Sequence, residues 1–383
     1  MNVAIVNDSK IAAEVLRRIL VDLPEFHLLW TAYSGEEAVR MAATSRPDVI
    51  LMDLIMPGIS GAETTRRIMQ STPCVILVVT ATTVGNRDQV FEAMGYGALD
   101  AVNTPRLGAD GDMSGADPLR QKLRTVARLV DYQTAPHRAA LALSNAAQAN
   151  PALAGPAQSS RAQSSSAHSR LVPTQLQGAS SLPIVAIGAS TGGPQALSLI
   201  LSHLPANFPA AVLVAQHVDE QFAPGLATWL QHHSALPVRI ARNGEPLTPG
   251  GVWIAGAGGH LIFEEDDGRG SFLTYTQNPR DNAYRPSVDV LFASLAHPQC
   301  GPRVGVLLTG MGRDGAEGLL ALRNAGALTI AQDAASSVVY GMPKAAANLK
   351  AAAEILPLES IGPRIRNAIF AWTHAQPSLA TQP

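Results

Sequence analysis

Three short runs of this chain carry residue types that could do chemistry together. They are Gly188-Ala189-Ser190-Thr191-Gly192-Gly193, Gln216-His217, and Thr309-Gly310-Met311-Gly312-Arg313-Asp314-Gly315. Each follows an apolar, strand-like stretch, so a hydroxyl, an imidazole and a carboxylate can meet at the carboxyl edge of one parallel sheet, where open α/β folds place ligands. That set serves acyl transfer: serine as nucleophile, histidine as general base, aspartate orienting the imidazole. The first run fits the G-x-S-x-G turn that exposes a serine hydroxyl. It also fits a phosphate-cradling loop, since Pro194 after two glycines opens a helix, although the lysine of a P-loop is missing. His260, after its own glycine-rich turn, is the second candidate base. His203, His232, His233 and His297 read as structural or solvated. Asp314 has an alternative role as N-cap of a helix over 316–325.

The elements that must position these residues follow from periodicity. Apolar runs at 184–187, 211–215, 238–240, 252–255, 304–308 and 328–331 read as strands, with helices at 195–201 and 316–325 among them. A separate alternation precedes them: strands at 3–6, 49–52 and 75–79, and helices at 11–20, 62–69, 90–94 and 119–130. Both patterns predict doubly wound parallel sheets of the α/β class. Between them lies a stretch rich in Ala, Ser, Gln and Pro. It has too little apolar surface to offset its ordering entropy and reads as a linker. The expected division is a first domain at 1–132, the linker at 133–181, a second domain at 182–373, and a tail at 374–383.

Asp8, Asp53 and Thr80 each lie at or just past the end of a first-domain strand and can share one pocket. Two carboxylates with a backbone carbonyl suit Mg²⁺, and a carboxylate beside such a cation can accept a phosphoryl group. Surface acids at strand ends are the plainer reading.

Composition narrows the class. The 383 residues carry a formal charge of −2 with dispersed basic residues, which gives nucleic acid no footprint. Cys74 and Cys300 are the only cysteines and fall in different domains, which fits a reducing cytoplasm rather than a disulfide framework. The first residues lack the apolar length of a signal peptide, and no run approaches a membrane span, so no direct membrane insertion is expected.

Asp53-Leu54-Ile55-Met56-Pro57-Gly58, with Asn7-Asp8-Ser9 and Thr80-Ala81, resembles the response-regulator receiver family. The resemblance implies a flavodoxin-like fold, Asp53 as phosphoacceptor, and Mg²⁺ at Asp8 and Asp53. Asn7 stands where an acid is usual, Thr104 where a lysine is expected, and Ala101 at the usual switch aromatic. The later runs, together with Arg285-Pro286-Ser287-Val288-Asp289 and the segment from Ala331-Gln332-Asp333 to Gly341-Met342-Pro343, resemble the CheB family of chemotaxis protein-glutamate methylesterases. That implies Ser190, His217 and Asp314 as catalytic residues, Thr191 and Met311 as active-site lining, and no cofactor for ester hydrolysis. It further implies a methyl-accepting chemoreceptor as substrate, a chemotaxis-type histidine kinase as phosphodonor, and glutamine deamidation as a related reaction. The receiver motifs are similar to the methylesterase of the Wsp surface-sensing pathway. A signalling adaptor with a vestigial pocket is the alternative from another class.

Overall fold

A computed structural model describes residues 1–81, 87–107, 113–127, 182–256, 258–266, 270–282, 284–297 and 301–374. The expected linker at 133–181 lies outside the described residues, as does the tail beyond 374. Met1–Leu123 and Ser181–Pro383 form one compact unit, the first of two. Both parallel sheets belong to the first unit.

Its amino-terminal part runs β1 (Asn2–Val6), α1 (Lys10–Val21), β2 (His27–Ala32), α2 (Gly35–Thr44), β3 (Val49–Met52), α3 (Gly61–Ser71), β4 (Val75–Thr80), α4 (Arg87–Gly95), β5 (Asp100–Asn103), a small pair β6 (Arg106–Leu107) and β7 (Met113–Ser114), and α5 (116–127). The sheet order is β2-β1-β3-β4-β5, all parallel. Every residue of β3 is buried, which explains its unbroken apolar run: helices cover both faces. Ser9, Ser34 and Ser60 cap α1, α2 and α3, each accepting a backbone N–H three residues on. At Gly61 a Cβ would stand 1.9 Å from the Asp53 carbonyl oxygen. Only glycine lets α3 approach the Asp53 loop so closely.

The carboxyl-terminal part runs β8 (Ile184–Ala189), α6 (Gly193–Ser202), β9 (Ala211–Gln216), α7 (Ala223–Gln231), β10 (Val238–Ile240), β11 (Glu245–Pro246), β12 (Val252–Ile254), β13 (His260–Asp266), β14 (Gly270–Thr276), α8 (Val288–Leu295), β15 (Arg303–Leu307), α9 (Ala316–Asn324), β16 (Leu328–Gln332), α10 (Met342–Asn348), β17 (Glu354–Leu356) and α11 (Leu358–His374). Its parallel sheet has the order β10-β12-β9-β8-β15-β16-β17. The chain order reverses around β8, and ligands of open α/β sheets bind at such switch points. β13 and β14 form an antiparallel hairpin joined by β11, which the sequence pattern does not reveal. Its charged and threonine-rich positions resemble a surface loop when read without the partner strand.

The two parts pack together through α4 and β5 against α6 and α7. Phe91, fully buried, meets Trp229 with ring centroids 6.3 Å apart. Gln195 Nε2 donates to the carbonyls of Met94 (2.6 Å) and Ala98 (3.1 Å). Thr191 Oγ1 donates to Asp100 Oδ2 at 3.0 Å, and Lys122 Nζ reaches the same oxygen at 2.6 Å. Asn103 Nδ2 donates to Asp219 Oδ2 at 2.8 Å. Among the described residues, no helix is long and apolar enough to cross a membrane.

Candidate active site

Ser190 follows the last residue of β8, His217 the last of β9, and Asp314 lies in the loop after β15. These strands are neighbours, in the order β9-β8-β15. Residues far apart along the chain are thus drawn to one edge. The serine loop is built from its backbone outward. Ser190 N–H donates to the Thr309 carbonyl at 3.0 Å, while Gly193 N–H (2.7 Å) and Gln216 Nε2 (2.9 Å) donate to the Ser190 carbonyl. Thr309 ties three further segments: its N–H donates to Gln332 Oε1, its hydroxyl donates to the Thr191 carbonyl, and that hydroxyl accepts the Val339 N–H. Gly310 is required beside it, because a Cβ there would stand 2.6 Å from Ser190 Cβ and 2.4 Å from Met342 Sδ.

The serine turn departs from the elbow that G-x-S-x-G suggests. A hydrolase elbow strains its nucleophile, but Ser190 is not among the residues of positive φ; Gly192 makes the left-handed turn, at φ 77°. Ser190 is also only 9 % exposed. Since its N–H is spent on Thr309, an oxyanion must find its donors elsewhere.

His217 Nε2 and Asp314 Oδ2 are 2.7 Å apart, both side chains buried. This leaves Nδ1, buried and without a hydrogen-bond partner among the described residues, as the nitrogen that can act as base. Asp314 is not the N-cap of α9; Gly315 holds that position with φ 88° and no side-chain cap. The Asp314 carboxylate faces the start of α8 instead. Oδ2 accepts the Val288 N–H (2.7 Å), and Oδ1 accepts the Ser287 hydroxyl (2.8 Å) and the Asp289 N–H (3.1 Å). Burial pushes its pKa up, but the hydrogen bond and charge of His217 outweigh that, helped by these donors, and hold it below the usual carboxylate range. Asp289 moves the opposite way: burial raises it, and Asp314 adds repulsion against the pull of the Gly318 N–H.

His260, the second candidate base, is fully buried and structural. Its Nδ1 accepts the Ser287 N–H at 3.1 Å, and its Nε2 lies 3.2 Å from the Pro279 carbonyl. A cavity of about 280 Å³ is lined in part by Val218, Glu220, Gly256, Gln277, Arg285 and Pro286, and none of Ser190, His217 or Asp314 lines it.

Known proteins match both parts of the chain. Residues 185–365 match the family model for CheB methylesterase, and residues 3–106 the model for the response regulator receiver domain. A protein-glutamate methylesterase/protein-glutamine glutaminase of Pseudomonas aeruginosa is 47% identical over 365 residues, 95% of this chain and 98% of its own. One from Cupriavidus metallidurans is 49% identical over 366 residues, 95% of this chain and 97% of its own. The chain belongs to the CheB methylesterase family. The crystal structure of the Thermotoga maritima CheB methylesterase catalytic domain is 37% identical, covers 49% of this chain and 99% of its own, and superposes with a TM-score of 0.47. The family resemblance and the α/β fold expected from the sequence are both borne out.

In the receiver part of this CheB-family chain, Asp53 is held close to its expected neighbours. Asn7 Nδ2 donates to Asp53 Oδ2 (3.1 Å), while Asn7 Oδ1 accepts the Ser9 N–H (2.9 Å) and Asp53 Oδ1 the Leu54 N–H (2.7 Å). Burial raises the Asp53 pKa, opposed by Thr80 and the N–H groups of Leu54 and Ile55, with the Asp8 charge adding to the rise. Thr104 N–H donates to the Thr80 carbonyl at 3.1 Å, and Ala101 pairs with Val78 inside the sheet. In the catalytic part Ser287 gains Asp314 as a partner, and the run from Arg285 to Asp289 was the signal for it. Thr309 and Asp100 likewise gain partners that their residue types do not announce.

Proposed function

We propose that this chain hydrolyses glutamate methyl esters on methyl-accepting chemoreceptors in the cytoplasm, under control of phosphorylation at Asp53. The observation that carries the reading is the bond from His217 to Asp314 one strand away from Ser190. Ser190 Oγ attacks the ester carbonyl as His217 Nδ1 takes its proton; the proton then passes to the departing methoxide, and methanol leaves. Water, deprotonated by the same nitrogen, attacks the acyl-enzyme, restores the serine and leaves the glutamate carboxylate. Asp314 keeps the imidazole in one tautomer and stabilises its cation. The oxyanion is stabilised from the turn at 310–312, with Met311 supplying a backbone donor and Thr191 lining the site. A glutamine amide passes through the same tetrahedral intermediate and releases ammonia, which extends the reading to deamidation.

Asp53 accepts a phosphoryl group from a chemotaxis-type histidine kinase. Asp8 and Asp53 would hold Mg²⁺, their oxygens suiting a hard cation. When bound, it neutralises charge on the phosphoryl oxygens. Asn7, its amide already committed to Asp53 and Ser9, contributes polarity but no charge.

Control follows from the packing of α4 and β5 against the segment that bears Ser190. The bond from Thr191 to Asp100 lies one residue from the nucleophile, and phosphorylation shifts the population toward the undocked arrangement. Asp100→Ala removes a charged acceptor from this contact and is expected to raise the unstimulated rate about tenfold. An unchanged basal rate would separate this contact from inhibition.

The test of the function is methanol release from methylated receptor, with and without a small phosphodonor and Mg²⁺, for the wild type and Asp53→Asn. Release that rises with phosphodonor only in the wild type is expected. Equal stimulation of both would remove Asp53 as the switch; no release from either would favour an adaptor.

A further inference from the structure

One face of the His217 ring is covered. The Tyr284 ring lies parallel to it, 1° between planes, with centroids 4.1 Å apart. Tyr284 belongs to the strap between β14 and α8, which also brings Ser287 to Asp314. Several of its described residues are pinned to one another. Tyr284 N–H donates to Asn282 Oδ1 (3.0 Å), and the Arg285 guanidinium donates to the Arg280 carbonyl (2.6 Å) and Gln277 Oε1 (3.3 Å). At the far end of the ring, a Cβ on Gly312 would stand 3.0 Å from the Tyr284 hydroxyl. The phenol therefore spans from the imidazole to the loop that carries Asp314, and the bare backbone at Gly312 leaves room for it. Burial, with the nearby Asp314 charge, raises the Tyr284 pKa.

We infer that Tyr284 is a positioning residue for the reaction: its face holds the imidazole plane so that Nε2 stays on Asp314, and its π system stabilises the imidazolium formed during acyl transfer. The inference rests on the assignment of His217 as base. An aliphatic side chain would fill the same space but would neither fix the ring plane nor favour its cation.

The experiment compares full-length wild type, Tyr284→Phe and Tyr284→Leu, each with phosphodonor and Mg²⁺. Tyr284→Leu is expected to lower kcat about tenfold with little change in KM, and Tyr284→Phe to keep most of it. A wild-type kcat in the leucine variant, or a phenylalanine variant as impaired as leucine, would overturn the stacking role. Imidazole nitrogen NMR, with each substitution placed on a Ser190→Ala background, gives a readout independent of turnover. The Nε2–H tautomer and its downfield proton should persist with tyrosine or phenylalanine at position 284 and should broaden with leucine. Identical spectra for tyrosine and leucine would also overturn the proposal. Methanol release that does not depend on Ser190 would instead overturn the triad assignment, while the spectra would still decide the stack.

Discussion

Alanine at Ser190 is expected to lower phosphodonor-stimulated methanol release roughly a million-fold, the scale seen when a serine hydrolase loses its nucleophile. In the docked arrangement the neighbouring Thr191 Oγ1 is turned to Asp100, and its carbonyl is held by Thr309. The fold should be indifferent, because the contacts that shape the loop run through the Ser190 N–H and carbonyl, which alanine keeps. Stability should change by no more than about 0.5 kcal/mol. A methanol assay beside a thermal melt checks both halves. Activity retained above about one per cent of wild type would dismiss Ser190 as nucleophile.

Asp314→Asn should behave differently, losing about ten-thousand-fold in kcat and also melting earlier. The native carboxylate receives the Val288 and Asp289 N–H groups, the Ser287 hydroxyl and His217 Nε2. An asparagine has one acceptor oxygen, so its NH₂ group must face donors, at a cost of about 1–3 kcal/mol for each buried group left unpaired. The same bonding fixes a pH dependence. The folded pKa of Asp314 lies below that of a free carboxylate. Its contribution to stability is therefore full above the unfolded value and is lost as pH falls through the folded one. Acid titration of the melting temperature should show this loss in wild type and a flatter profile in Asp314→Asn. Equal acid sensitivity in both would mean that Asp314 does not carry it.

Much of the fold was legible because parallel strands covered on both faces leave unbroken apolar runs. The runs at 49–52 and 211–215 fall on β3 and β9, which are buried along their length. The hairpin of β13 and β14 was not legible, since its half-exposed positions, such as Glu264 and Thr274, find each other only across the turn. Within the site, Ser190, His217 and Asp314 stood out because chemistry limits which residue types can serve. Tyr284 did not: stacking is a relation between two planes, and neither ring advertises it alone. Asp314 was legible as a carboxylate but not in its bonding, because either helix start was a reasonable destination. Asp100, at the head of a strand, gave no sign that its partner would be Thr191, 91 residues later.

The order of these parts along the chain also governs how the protein is made. Every strand of the first sheet has been synthesised by Asn103, whereas the carboxylate that pairs with His217 comes only at Asp314. A ribosome therefore delivers the surface of α4 and β5 well before the hydrolase it meets is whole. Under the proposed control, the inhibiting surface is therefore made before the catalytic residues it restrains are all in place.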